Sequence, residues 1–239
     1  MFKYEMIAEE IQDRIRSGEY PADEKLPQEM ELCRQYDVSR ITIREALDLL
    51  VNRGLITRRR GAGTYVKAMT GEPSVSEKFA RSQQFGGFSA DMKGRKVESA
   101  VNEFTLQQAS GKVAEMLQIP ENAFVCYICR TRSVEGEPRV VEYTYMPTAF
   151  ITGITEDVLK GSIYEYIEQT LKLKIRSAHR TARADMPTEQ ERRWLEIGEE
   201  EIAILEVEQT AYLDDGRIFE YSRSRHRGDC FSLHTVSVR

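Results

Sequence analysis

Between Ser39 and Val66 the hydrophobic period of the chain changes from that of a helix to that of strands. Ile43, Ala46, Leu47 and Leu50 recur at i, i+3, i+4 and i+7, a spacing that lines up apolar side chains on one helix face. Ser39 supplies an N-cap at the start, and Gly54 closes the segment. Directly behind it, "LITRRRGAGTYVK" reads as a strand, a glycine-rich tip and a second strand. Upstream, Ile7, Ile11 and Ile15 stand at i, i+4 and i+8, predicting an amphipathic helix of about three turns that stops at Gly18 and the Tyr20-Pro21 break. "LPQEMELCRQYDVS" predicts another helix, with Pro27 in its first turn and Leu32 and Tyr36 on one face. Two short helices joined by a three-residue turn match the helix-turn-helix plan.

Charge sharpens this reading. The chain is acidic, with 34 Lys+Arg against 39 Asp+Glu, so it is not a protein that coats nucleic acid indiscriminately. Yet residues 34–67 carry 8 basic and 3 acidic groups, while both flanking regions are net negative. Burying Ile43, Leu47 and Leu50 leaves Arg40, Ile41, Arg44 and Asp48 on the far side of the helix. Arg40 and Arg44 lie one turn apart, where a recognition helix enters the major groove and an arginine reaches guanine or clamps a phosphate. Ser39 and Thr42 donate to phosphates there. The arginines and glycines of the hairpin tip suit close approach to DNA backbone or a narrow groove.

The segment resembles the winged helix-turn-helix domain of the GntR family of bacterial regulators. The matching runs are "LPQEMELC" (26–33), "VSRITIREAL" (38–47), "GLI" (54–56) and "GAGTYV" (61–66). The resemblance implies a homodimer on a palindromic double-stranded operator. It places DNA contact on Ser39, Arg40, Thr42 and Arg44, and on the wing at Arg60, Gly61 and Gly63; Arg59, at the same charged tip, is expected to join them. Where the family has Ser-Glu-Arg, this chain has Gln28-Glu29-Met30. Met30 cannot replace an arginine's polar contact, so it is given no DNA role.

The rest of the chain is expected to hold a linker over residues 69–87 and a second domain over 88–239, after a DNA-binding domain over 1–68. Strand-like alternation in "KVESAVNEFTL", helices in "QQASGKVAEMLQI", "SIYEYIEQTL" and "PTEQERRWLEI" (Pro187 in its first turn), and hairpins at "EGEP" and "DDG" predict an antiparallel α+β domain, closed by a last strand "FSLHTVSV". The order of "ADMKGR", "CRTRSVEGEPRVVE", "GSIYEYIE" and "DGRIFEYSRSRHRGD" resembles the UTRA ligand-sensing domain of the HutC branch, which implies a chorismate-lyase-like fold.

Arg130 and Arg132, at i and i+2 of a strand, project to one face and would repel unless they share an anion. Glu142 sits on the partner strand. Ser162 would cap "SIYEYIE", whose free amides suit phosphate. Glu220, Ser222 and His226 share another strand face. Cationic and hydroxyl groups at one end and carboxylates at the other suit a phosphorylated sugar. Ser89, Arg130, Arg132, Ser162 and Tyr164 would take the phosphate, and Glu142 and Glu220 the hydroxyls. The resemblance points to the same positions in regulators that sense sugar phosphates, with His226 standing where such a relative has a tyrosine.

The other features point away from catalysis. Cys126 and Cys129 face opposite sides of a strand and read as packing residues. His179, His226 and His234 form no metal signature. No nucleophile elbow, P-loop or dinucleotide fingerprint occurs, so no cofactor, metal or catalytic residue is expected. With no long apolar run, no signal-like N-terminus and four dispersed cysteines, the chain is read as cytoplasmic and without membrane partners. The expected function is a repressor of carbohydrate metabolism, released by a sugar phosphate. Two rivals are the same architecture sensing an unphosphorylated carboxylate and a lyase-like enzyme with a DNA-binding head.

Overall fold

The computed structural model describes residues 2–67, 87–92 and 94–232. These form two compact units that divide between residues 84 and 85. Most of the expected linker and nearly all of the expected last strand lie outside the described residues.

In the first unit, α1 runs Lys3–Arg16, α2 Glu29–Tyr36 and α3 Arg40–Asn52, followed by β1 Ile56–Arg59 and β2 Gly63–Val66. The helix α1 is a turn longer than its isoleucine spacing suggests, because the Glu5 carboxylate accepts the Phe2 amide at 2.8 Å and closes an extra N-terminal turn. Ile7 and Ile11 of α1, Leu32 of α2 and Ile43, Leu47 and Leu50 of α3 bury together with Leu55, Ile56 and Val66 of the hairpin. Pro27 precedes α2 rather than sitting in its first turn. Gln28 is the N-cap, and its amide, which a first-turn reading leaves free, donates to Glu31 at 2.7 Å. Asp37 takes a left-handed conformation (φ 48°), which a short polar side chain tolerates, and turns α2 into α3. The Ser39 hydroxyl then accepts from the Thr42 amide at 3.3 Å. Arg53 is buried and donates to Gln12 at 2.8 Å, so one arginine of the basic block ties α3 to α1.

The second unit is an α+β domain built on one antiparallel six-stranded sheet. Its strands are β3 (Val97–Gln108), β4 (Phe124–Val134), β5 (Glu137–Pro147), β6 (Ile175–Asp185), β7 (Ile204–Leu213) and β8 (Ile218–Arg227), in the order β3-β4-β5-β8-β7-β6. The short helix α4 (Gly87–Asp91) precedes the sheet, α5 (Gly111–Leu117) follows β3, and α6 (Glu156–Lys160) and α7 (Ile163–Glu165) follow β5. A π-helical turn over Tyr166–Thr170 continues α7 and completes the segment expected as one helix. The helix α8 (Glu189–Trp194) starts after its cap Thr188, so Pro187, like Pro27, lies just before the helix rather than inside it.

Strand alternation gives the sheet two covered faces. On one, Ile128 and Phe219 pack under Leu159, Ile163 and Ile167 of α6, α7 and the π turn. On the other, Val125 packs with Val113 and Leu117 of α5, and Cys129 and Val141 pack near Trp194. Cys126 and Cys129 are buried, and burial pushes both thiols up, that of Cys129 to about 11.

Candidate DNA-reading surface and effector site

The exposed side of α3 carries Arg40, Ile41, Arg44 and Asp48. Ser39 and Thr42 hydroxyls lie 3.0 Å apart at the helix start. Arg40 and Arg44 both donate through Nε to Glu29 Oε2, at 2.7 and 3.2 Å. The bond from Arg40 does most to hold the Glu29 carboxyl below its usual range; burial opposes it, and the bond from Arg44 and the charges of both arginines add to the lowering. In the hairpin, Arg58 turns back to Asp48 and to the Arg44 carbonyl, leaving Arg59 and Arg60 for the outer surface. Arg59 lies over the Tyr65 ring, 4.4 Å from its centroid. Gly61 and Gly63 both have positive φ. A Cβ at Gly63 would press on the Lys25 side chain, because the chain around Lys25 runs against β2. The residues read from sequence for DNA contact thus occupy one helix start and one hairpin tip. Ile41, 70 % exposed beside them, is an apolar group of the kind that meets a thymine methyl.

In the second unit, the register Arg130↔Glu142 and Val140↔His226 brings three strands' polar residues to the face shared with α6 and α7. Arg130 and Arg132 are 4 % and 3 % exposed. The anion they share is Glu142, whose Oε2 lies 2.7 Å from Arg130 Nη2 and 3.5 Å from Arg132 Nη1. Burial opposes ionisation of Glu142, but the two guanidiniums outweigh it and hold its carboxyl below the usual range. Arg132 also donates to Ser89 at 2.7 Å and lies over Phe88, 5.2 Å from the ring centroid. Both of these residues come from α4. Gly87, at φ 72°, lets that helix start against the Tyr164 ring, where a Cβ would come within 3.0 Å. Arg130 donates to the carbonyls of Leu159 and Gly161 at 2.8 and 3.3 Å. The turn before α7 therefore meets Arg130 through carbonyl oxygens, and the Ser162 hydroxyl is engaged in capping the Glu165 amide at 3.2 Å.

Glu220 anchors a second polar array. Its Oε1 accepts from Ser222 at 2.6 Å and from Gln209 at 2.8 Å, and Gln209 also donates to the Tyr164 hydroxyl at 3.0 Å. Arg180 orients Gln209 from β6, at 2.7 Å. Burial raises the carboxyl of Glu220 and the phenol of Tyr164. His226 stacks on Phe231 at 3.7 Å, and burial depresses its imidazole to about 4, so it is neutral at pH 7. Four buried atoms on this face have no hydrogen-bond partner among the described residues: Ser99 Oγ, Arg130 Nε, Arg132 Nε and His226 Nδ1. Buried polar groups of this kind are normally served by water or ligand.

The structure gathers Ser89, Arg130, Arg132, Glu142, Tyr164, Glu220 and His226 on or against this face, with Ser162 at its margin. Gln209, Arg180 and Phe88 also join this face, though no sequence motif marks them. Hairpin register about "DDG" sets Gln209 opposite Ser222 and was the one available signal. The pairing of β6 with β7 carries no comparable local mark.

A winged helix-turn-helix head and a separate domain with a buried polar face define a class, the ligand-responsive transcription regulators. Residues 3–66 match the bacterial regulatory proteins of the gntR family, and residues 92–232 match the UTRA domain. The chain is 40 % identical over 241 residues to the HTH-type transcriptional regulator GmuR of Bacillus subtilis, covering 100 % of both. It is 33 % identical to the mannosyl-D-glycerate transport/metabolism system repressor MngR of Escherichia coli, over 99 % of this chain and 96 % of that one. The crystal structure of the possible transcriptional regulator YydK from Bacillus subtilis superposes with TM-score 0.79 at 26 % identity, covering 100 % of both chains. The chain belongs to the GntR family of bacterial regulatory proteins, in the branch that carries a UTRA domain, and is a DNA-binding regulator of transcription rather than an enzyme.

Proposed function

We propose that the chain represses a carbohydrate-utilisation operon and is released from its operator by a phosphorylated sugar bound on the polar face of the sheet. The observation that carries this reading is the buried Arg130–Arg132 pair beside Ser89, facing the Glu220–Gln209–Tyr164 array across β5 and β8. The Nε atoms of both arginines are buried without a hydrogen-bond partner among the described residues, an unmet need that an anion would satisfy. The carboxylate, amide and phenol opposite suit vicinal hydroxyls. His226, neutral and aromatic, would close the sugar end. The repressor named for mannosyl-D-glycerate transport and metabolism supports a sugar-linked effector.

The head, residues 1–68, acts as one arm of a cytoplasmic homodimer on a palindromic operator. Residues 69–87 link it to the sensor, 88–239. Arg40, Arg44, Ser39 and Thr42 enter the major groove, with Arg59, Arg60, Gly61 and Gly63 at the backbone or minor groove. Release requires that the sugar phosphate bind one arrangement of the heads better than the other.

The test is calorimetric titration of the full chain with sugar 6-phosphates and their unphosphorylated parents. Phosphorylated forms bind, the parents do not, and Arg132→Ala loses roughly ten- to hundred-fold in affinity, the worth of a charge-assisted hydrogen bond. Equal binding of phosphorylated and parent sugars, or an unaltered affinity in the variant, overturns the phosphate assignment.

A further inference from the structure

We infer that Glu29 is the positioning residue of the DNA-reading arginines: its single carboxylate sets the direction of both guanidinium groups before DNA arrives, and so governs discrimination between operator and other DNA. The geometry is asymmetric. Arg40 and Arg44 each use Nε, the inner edge of the guanidinium, and both bonds end on the same oxygen of Glu29. No group among the described residues accepts from the Nη atoms of either arginine. The outer edge, which makes bidentate contacts with guanine, is therefore free in both. Glu29 side-chain exposure is 24 %, against 58 % and 56 % for the two arginines, so the anchored ends are sheltered and the reading ends open. Glu29 is itself placed by the first turn of α2, behind the Gln28 cap.

An exposed ion pair of this kind adds little to folding stability. Its effect falls on the side chains. Long arginines lose rotamer freedom when they order on a partner, and Glu29 has already restricted both to one fork. The same carboxylate repels phosphates, which lowers binding to any DNA regardless of sequence. Positioning and charge thus push specific and non-specific binding in opposite directions, which separates the two effects by experiment.

The experiment uses the full chain, a duplex selected from a random pool by the wild-type protein, and a scrambled duplex of equal composition, at fixed salt. Glu29→Gln lowers the ratio of selected to scrambled affinity roughly tenfold, near the low end of what one bidentate contact discriminates, while scrambled binding stays level or rises. In an Arg40→Ala/Arg44→Ala background the same substitution leaves the ratio unchanged. Three results overturn the inference. An equal gain on both duplexes would mean that Glu29 acts only as a repelling charge. An equal loss, with earlier thermal unfolding of the head, would mean a structural role. A loss of ratio that persists without the arginines would mean that Glu29 touches a base itself.

Discussion

Replacing Glu142 by glutamine tests the central feature of the sensor. Two guanidiniums, 4 % and 3 % exposed, converge on this one carboxylate. The amide side chain would keep the shape and one acceptor oxygen but remove the compensating charge. Breaking a buried ion pair from one side costs about 3–5 kcal/mol, because the partner charge stays buried. In a domain of this size each kcal/mol moves the midpoint by roughly 2–4 °C, so Glu142→Gln should unfold about 10 °C earlier. An added divalent anion can take the carboxylate's place. A ligand at a hundred times its Kd stabilises by about 2.7 kcal/mol, enough to restore more than half of the loss. The assay is thermal unfolding of the full chain in chloride and in sulfate or phosphate at matched ionic strength. Wild type gains less from the anion, since Glu142 already occupies the space between the arginines. An unfolding midpoint within about 3 °C of wild type, or equal anion stabilisation of both proteins, would refute the claim that Arg130 and Arg132 depend on Glu142 for charge balance.

Arg60→Ala should weaken binding to selected and scrambled duplexes alike and reduce the slope of log affinity on log salt by about one, as loss of a phosphate contact does; a slope measured by fluorescence anisotropy that matches wild type would remove Arg60 from the interface. His226 has its folded pKa depressed to about 4 from 6.5, so the unfolded chain binds the extra proton first as pH falls. The neutral ring's contribution is fully present above pH 6.5 and is lost as pH falls towards 4, at about 1.4 kcal/mol per unit. Glu220, whose carboxyl burial raises, acts in the opposite sense, so the comparison is between wild type and His226→Phe in urea unfolding from pH 7 to 5. A pH slope identical in the two proteins would mean that the imidazole is not buried as a neutral group.

The reading head was legible in the sequence because its determinants are local. The i, i+3, i+4, i+7 stripe from Ile43 to Leu50, the Ser39 cap and the glycines of the hairpin each specify backbone within a few residues, and the structure repeats them. Pro27 and Pro187 marked two helix starts but not the first residue, since the residue after each proline takes the cap. Alternation along β4 and β8 placed Arg130 with Arg132, and Glu220 with His226, on common faces, because side chains on a strand alternate with period two. Which partner each meets was not written locally. Glu142 lies between the arginines, Arg53 turns into the head core, Arg58 bends to Asp48, and Gln209 joins Glu220 to Tyr164. Arg53 and Gln209 reach Gln12 and Tyr164, 41 and 45 residues away, through packing of separate elements, while the other partners lie 10 to 12 residues off, where strand register or the turn from helix to hairpin selects them. A charged side chain is also long enough to reach either water or a buried partner, and only the assembled core removes the first choice. Local pattern along the chain is enough to set the elements, their caps and the faces on which charge falls. Which of those charges neutralise one another and which stay open to a ligand or to DNA follows from the assembled fold, because desolvation and pairing exist only once strands and helices have closed over them.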